Sequence, residues 1–175
     1  MKVVTYSWEQ LEGAALELAR QITQSEWTPD YIVGINRGGI IPANLLSQYL
    51  GIQMKVLHVS LRDFPADLEH NAWMACDALG VTDDPLASVG LRKNILIVDD
   101  INDSGATLDW IKDDWQQLCL PNNPEWKDVW HKNVRFAVIF DNAASDAQVD
   151  YSAEDFDKRE DDIWIDFPWE NYWKK

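Results

Sequence analysis

Basic residues are scarce in this chain: 15 Lys and Arg stand against 30 Asp and Glu, a formal net charge of -15 over 175 residues. No basic run occurs. Nucleic-acid binding draws most of its affinity from Lys and Arg on phosphates, so a nucleic-acid partner is not expected. Cysteine is limited to Cys76 and Cys119, too few for a disulfide framework and without metal-ligand spacing. Both are expected to be free thiols, small buried hydrophobes in a reducing compartment. His58, His70 and His131 show no ligand spacing and receive no metal or catalytic role. No apolar stretch reaches the roughly 18 residues of a transmembrane helix, so no membrane partner is expected. Met1 to Tyr6 lacks the apolar core and cleavage site of a signal peptide. The expected location is cytoplasmic.

The hydrophobic fraction of 46% is ordinary for a folded protein, and the length suits a single domain over 1–175. Acidity gathers at the end, where residues 146–175 hold 10 Asp and Glu against 4 Lys and Arg; this reads as a solvated acidic face. Ten tryptophans are many for the length, and most are expected in the core or a subunit interface.

Ser7-Trp8-Glu9-Gln10 has the pattern of a capping box, and Leu11, Ala14, Ala15, Leu18 and Ile22 follow at helical spacing. A helix over about 8–24 is predicted, within an N-terminal segment 1–26. Tyr31 to Ile35 is a short apolar run that predicts a buried strand. Asn36-Arg37-Gly38-Gly39 then makes a tight loop, and Pro42 suits the first turn of a helix that Gly51 ends. Met54 to Ser60 reads as another strand. Residues 61–92 are polar and irregular, with a short helix around 72–79. Ile95-Leu96-Ile97-Val98 is the clearest buried strand, and a helix over about 106–117 follows its loop. Val134 to Phe140 and Ile163 to Ile165 are further strands. Strands alternating with helices argue for an α/β fold with a mainly parallel sheet flanked by helices, with a core over 30–142. Ligands in such sheets bind at the carboxyl ends of the strands.

The decisive segment is Ile95-Leu96-Ile97-Val98-Asp99-Asp100-Ile101-Asn102-Asp103-Ser104-Gly105-Ala106-Thr107. An apolar strand ends in two adjacent carboxylates, and a short loop enters a helix. A helix start offers unpaired N–H groups and a positive dipole end, which is an anion site. Ser104 and Thr107 add hydroxyl donors, and Gly105 allows close backbone approach. Asp99 and Asp100 cannot bind phosphate; they suit sugar hydroxyls or a hydrated Mg²⁺. Phosphate, diol and metal side by side describe a ribose 5-phosphate. Either feature alone would more often be an acidic turn with a capped helix, but two carboxylates at a buried strand end are costly without a partner.

This segment resembles the signature of type I phosphoribosyltransferases, which bind phosphoribosyl pyrophosphate (PRPP). Asn102 departs from it, standing where an aliphatic residue is usual. The resemblance implies that Asp99 and Asp100 hold the ribose hydroxyls, directly or through Mg²⁺. It implies that residues 103–107, with Ser104, Gly105, Ala106 and Thr107, cradle the 5-phosphate. Asp103 would sit near N7 of a purine and handle its proton.

Val33 to Ala43 is similar to the family's pyrophosphate loop, with Asn36, Gly38 and Gly39 approaching the ligand and Arg37 offering a fork of donors. It is neither a Walker A loop nor a dinucleotide fingerprint. In isolation it is equally a strand–turn–helix with a surface arginine. Asp162-Ile163-Trp164-Ile165-Asp166-Phe167-Pro168-Trp169-Glu170 resembles the end of bacterial xanthine-guanine phosphoribosyltransferases. There a tryptophan at the position of Trp164 stacks on the purine and the backbone at Ile165 reads its edge, making 160–175 a base-binding segment. A core role for Trp164 is the alternative. By resemblance, Arg62 and the 61–92 region form a mobile loop that closes over the site; a solvated surface arginine is the other reading.

The resemblance implies transfer of the 5-phosphoribosyl group from PRPP to N9 of a purine, with Mg²⁺, in a homodimer or homotetramer. The rivals are a non-catalytic PRPP- or nucleotide-binding regulator of the same fold, and an enzyme for adenine or another nucleobase. Asn142 is placed where a lysine that donates to the purine O6 is usual. Its amide can donate or accept, so weaker rejection of adenine is expected. Alternatively Asn142 points elsewhere, or Asp141 faces the base.

Overall fold

The computed structural model describes residues 1–59, 68–81 and 91–170. Along the chain run β1 (Lys2–Thr5), α1 (Trp8–Gln24), β2 (Tyr31–Asn36), α2 (Ile40–Leu50), β3 (Met54–His58), α3 (Leu68–Leu79), β4 (Ile95–Asn102) and α4 (Ala106–Leu118). A short 3-10 helix (Pro124–Asp128), β5 (Val134–Asn142), β6 (Tyr151–Phe156) and β7 (Ile163–Asp166) complete the order.

Local chemistry accounts for the first helix. The Gln10 N–H donates to Ser7 Oγ at 3.1 Å, and the Ser7 N–H donates to Gln10 Oε1 at 2.9 Å, the reciprocal pair of a capping box. Leu11, Ala14, Ala15, Leu18, Ala19 and Ile22 are the buried residues of α1, one stripe at helical spacing.

Five strands form a parallel sheet in the order β3-β2-β4-β5-β6. Side chains alternate across it. Ile32, Leu96, Val98, Ala137 and Ile139 pack with α1 and α2 residues on one face. Val33, Ile35, Ile95, Ile97 and Phe136 pack with Met74, Ala75, Leu108, Ile111 and Trp115 of α3 and α4 on the other. Both faces are covered, which is why these strands read as continuous apolar runs. The chain steps outward from β2 to β3 and then returns to the other side of β2 for β4. The point between β2 and β4 is therefore a topological switch, where α/β sheets leave a crevice at the strands' carboxyl ends.

A second, two-stranded parallel sheet joins the two ends of the chain: Val3 pairs with Trp164 and Val4 with Ile165. Phe167 stacks on Trp169 with ring centroids 4.7 Å apart, and Tyr6 meets Phe140 edge-on at 5.0 Å. These rings tie the small sheet to the large one.

Four elements differ from expectation. β4 does not stop at the carboxylates; it runs on to Asn102 because β5 continues beside it, pairing Ile101 with Phe140 and Asn102 with Asp141. The short helix expected around 72–79 is present but begins earlier, as α3 over Leu68–Leu79, 12 residues. β1 and β6 were not foreseen. β1 is almost wholly exposed, and β6, Tyr-Ser-Ala-Glu-Asp-Phe, is an edge strand carrying the charges that such edges favour. Arg62 and half of the 61–92 region, residues 61–67 and 82–90, lie outside the described residues.

Candidate active site

Two loops flank the switch point. After β2, the chain passes through Asn36 to Gly39, with a cis peptide between Asn36 and Arg37. Asn36 Nδ2 lies 3.0 Å from His58 Nδ1 at the end of β3. A side chain on Gly38 would run into the Asp100 carboxylate, so glycine lets this loop lie directly against the acid pair. Arg37, Gly38, Asp100, Trp169 and Glu170 line a cavity of about 250 Å³.

After β4, Asp99 to Leu108 line a second cavity of about 240 Å³. Gly105 has φ 88°, a left-handed conformation that favours glycine. No side chain caps α4, so its first N–H groups face this cavity without a capping oxygen. The Ala106 N–H donates a long hydrogen bond to Ser104 Oγ, at 3.4 Å. Thr107 lines the same cavity. An uncapped helix start with adjacent hydroxyls is an anion receptor.

Asp99 and Asp100 sit between these loops. The Asp100 N–H donates to Asp99 Oδ1 at 3.0 Å. Burial pushes the Asp99 carboxyl well above the carboxylate range, and the Asp100 charge adds to the shift. Burial also raises Asp100, to about 6, with the Glu170 charge contributing. The pair thus holds negative charge where charge is disfavoured, which a divalent cation would relieve. Among the described residues no group of three or more His, Cys, Asp or Glu could hold a metal alone. Mg²⁺ commonly takes one or two carboxylates and completes its shell with water and substrate oxygens. The acid pair fits that demand.

A third cavity, of about 160 Å³, is lined by Asp100, Ile101, Asp103, Phe156, Lys158, Ile163, Trp164, Ile165, Phe167 and Glu170. Trp164 is 51% exposed, so its ring is available as a platform. Lys158 Nζ contacts both Asp103 oxygens, at 3.0 and 2.8 Å. Asn142, by contrast, is 5% exposed and does not line this cavity. Its Nδ2 donates to the Asp103 carbonyl at 2.7 Å. Its Oδ1 accepts from the N–H groups of Ala144 and Lys158, each at 3.1 Å. Of the two readings of this position, the structure has Asn142 pointing elsewhere. Its amide is engaged by backbone, so it is a clamp beneath the site.

Asp141 is not turned to the base cavity either: Asn102 Nδ2 donates to its Oδ1 at 2.7 Å and to the Ala147 carbonyl at 2.8 Å, while Asn102 Oδ1 accepts from Ser145 Oγ at 3.0 Å. The asparagine at position 102 thus ties the loop after β5 to β4.

Asp99, Asp100, Asp103, Arg37, Gly38, Ser104, Gly105, Ala106, Thr107, Trp164 and Ile165 therefore converge on three cavities. Lys158, Phe156 and Glu170 join them without having been foreseen. The sequence held one signal for Lys158: it and Arg159 are the only basic residues between 146 and 170, just ahead of the aromatic β7.

A model of the phosphoribosyl transferase domain matches residues 6–175. The chain is 27% identical to a xanthine-guanine phosphoribosyltransferase of Idiomarina loihiensis, over 94% of this chain and 84% of that one. It is 26% identical to a hypoxanthine-guanine phosphoribosyltransferase of Schizosaccharomyces pombe, over 94% of this chain and 87% of the other. The crystal structure of a purine phosphoribosyltransferase from Pyrococcus horikoshii superposes with a TM-score of 0.65 at 28% identity, covering 97% of this chain and 95% of that one.

Proposed function

The chain belongs to the phosphoribosyl transferase domain family, and on that premise we propose that it transfers the 5-phosphoribosyl group of PRPP to N9 of a 6-oxopurine, releasing pyrophosphate. One observation carries the reading: three cavities meet at Asp100, which lines them all. The substrates divide in the same way, into base, ribose 5-phosphate and pyrophosphate, around the single carbon C1′ where the bond changes. The curated relatives named above act on xanthine, guanine and hypoxanthine, which supports a role in purine salvage.

In this reading the α4 N-terminus, with Ser104 and Thr107, receives the 5-phosphate. Arg37 and the backbone at Gly38 and Gly39 receive pyrophosphate. Asp99 and Asp100 hold the ribose hydroxyls and the Mg²⁺ that accompanies PRPP. That ion supplies countercharge for the donor's phosphates in a chain of net charge -15. Trp164 stacks on the purine, and the Ile165 backbone reads its edge. As the N9–C1′ bond forms, the bond from C1′ to pyrophosphate breaks and its electron pair leaves with pyrophosphate. The proton on N7 of the base passes to Asp103. Positioning and electrostatic stabilisation of the leaving group supply most of the acceleration.

The proposal includes a homodimer or homotetramer in the cytoplasm. Among the described residues no helix is long and apolar enough to cross a membrane. The test is a competition: the protein is incubated with PRPP, Mg²⁺ and equal amounts of hypoxanthine, guanine, xanthine and adenine, and the nucleotides formed are identified by mass. Nucleotides of the 6-oxopurines are expected. AMP alone would reassign the base, and no nucleotide at all would refute the enzyme.

A further inference from the structure

We propose that Cys76 and Cys119 are a reversible modification site: a hydroperoxide closes them into a disulfide that ties α3 to the end of α4, and a thiol reductant reopens it. Neither residue lines any of the three cavities, so the site stands whether or not the chain transfers phosphoribosyl groups.

Both cysteines are free, and their Sγ atoms lie 3.1 Å apart. A disulfide needs only about 1 Å of further approach. The contact is built into the packing of two helices. Asn71 Nδ2 donates to Asp114 Oδ2 at 3.1 Å, and Asn71 is buried. These two residues stand 43 positions apart, as do the two cysteines. The constant offset means that α3 and α4 run side by side in the same direction. The amide–carboxylate bond sets their register about one and a half turns ahead of the sulfurs.

The backbones are held as well. The Cys76 carbonyl accepts from the N–H groups of Gly80 and Val81, at 2.9 and 3.0 Å. The Cys119 N–H donates to the Trp115 carbonyl at 3.2 Å, and the Cys119 carbonyl accepts from Trp126 Nε1 at 2.8 Å. Both sulfurs therefore start from fixed points.

The two thiols take different parts. Cys119 is buried, whereas Cys76 is only partly so. Burial, with the Cys76 sulfur beside it, pushes the Cys119 thiol up to about 12, so it stays protonated at neutral pH and is a poor first target. A small hydroperoxide meets Cys76 instead. The Cys76 sulfur attacks one peroxide oxygen, the O–O bond breaks, and the other oxygen leaves with the thiol proton, as water when the oxidant is hydrogen peroxide. Cys76 is then a sulfenic acid. The Cys119 sulfur attacks the Cys76 sulfur, the S–S bond forms, and the sulfenic oxygen leaves with the Cys119 proton as a second water. Two electrons pass from the sulfurs to the peroxide, and no further reactant is needed.

The closed loop, 76–119, contains β4 and α4, and a disulfide stabilises more as the loop it closes lengthens. Cys119 caps the far end of a 13-residue helix, about 20 Å along it from the phosphate cavity. The bridge thus secures the segment that carries the acid pair without entering the site. In a reducing compartment such bridges are transient, so this one forms under oxidant and reopens after it.

The full-length protein is treated with excess hydrogen peroxide, alkylated under denaturing conditions and mapped by peptide mass, with a second portion reduced by dithiothreitol before alkylation. One cross-linked peptide pair joining Cys76 to Cys119 is expected in monomeric chains, and dithiothreitol should restore both thiols. The oxidised protein should melt higher than the reduced one by about 5 °C or more. Cys76→Ala, whatever its own melting temperature, should show no rise with peroxide. Two alkylated thiols after peroxide would make the contact mere packing and overturn the site. So would Cys76 oxidised to the sulfinic acid with Cys119 still free, a bridge only between chains, or an oxidised protein that melts no higher.

Discussion

The side-chain oxygen of Asn142 accepts a hydrogen bond from the backbone N–H of Lys158 at 3.1 Å, across 16 positions of sequence. Because the same amide also donates to the Asp103 carbonyl, one buried residue joins β5, the loop after β4 and the turn between β6 and β7. The base cavity takes its polar geometry from that joint.

Removing the joint should cost stability. Asn142→Ala leaves three backbone groups, the Asp103 carbonyl and the Ala144 and Lys158 N–H groups, without their partner, and each such loss costs about 1–3 kcal/mol when water cannot replace it. We expect a lower denaturation midpoint in urea with an unchanged m-value. A variant as stable as the wild type would mean that water fills the place of the amide.

The sequence made α1 legible to the residue, because a capping box and a helical stripe are local signals. The segment from Ile95 to Thr107 was legible in outline, since an apolar strand, an acid pair and a helix start lie within one stretch, but not the continuation of β4 to Asn102, which depends on β5. The site's far side was not. Lys158 meets Asp103 only after the chain has built β5 and β6, and in sequence it is one basic residue in an acidic tail. Asn142 was read from its identity alone. Its burial follows from β6 pairing alongside β5, with Asn142 opposite Phe156, and β6 carries no apolar alternation that would have announced it.

Trp164 should matter to the base and little to the fold. Its ring is half exposed, so Trp164→Ala should melt close to the wild type. Stacking is worth about 1–3 kcal/mol per base, and 1.4 kcal/mol is about tenfold in affinity. The KM for the base should rise by about tenfold or more while the KM for PRPP holds. An unchanged base KM in a folded variant would give the platform to another ring.

Gly38→Ala should act on the other substrate. The added methyl would enter the Asp100 carboxylate, so the loop or that carboxylate must shift. Misplacement of about 1 Å in a positioning element can cost on the order of 100-fold. The loss should appear in kcat/KM for PRPP, with affinity for the base little altered. A fully active variant would show that this loop moves freely.

The acid pair predicts a pH dependence with a definite sign. Asp100 has its pKa raised from an ordinary 3.8 to about 6. A carboxyl with a raised pKa in the folded state favours folding while protonated. That contribution is present below about pH 4 and is lost as pH rises through about 6. At pH 7.5, without substrate or metal, Asp100→Asn should therefore be more stable than the wild type, by at most about 3 kcal/mol. Solvent access to the carboxylate lowers that figure. The difference should shrink at pH 5. Urea melts of both proteins at the two pH values provide the check, and a less stable variant at pH 7.5 would contradict it.

The central claim is that Asp99 and Asp100 serve the sugar and its metal rather than the core. The most direct measurement is pyrophosphate release by the wild type and by the double variant Asp99→Asn/Asp100→Asn, with the fold of each checked by circular dichroism. The wild type should release pyrophosphate only when PRPP, Mg²⁺ and a 6-oxopurine are present together. The folded double variant should lose about 100-fold or more of that rate. A wild type that releases none with any purine, or a double variant that keeps near wild-type activity, would contradict the account.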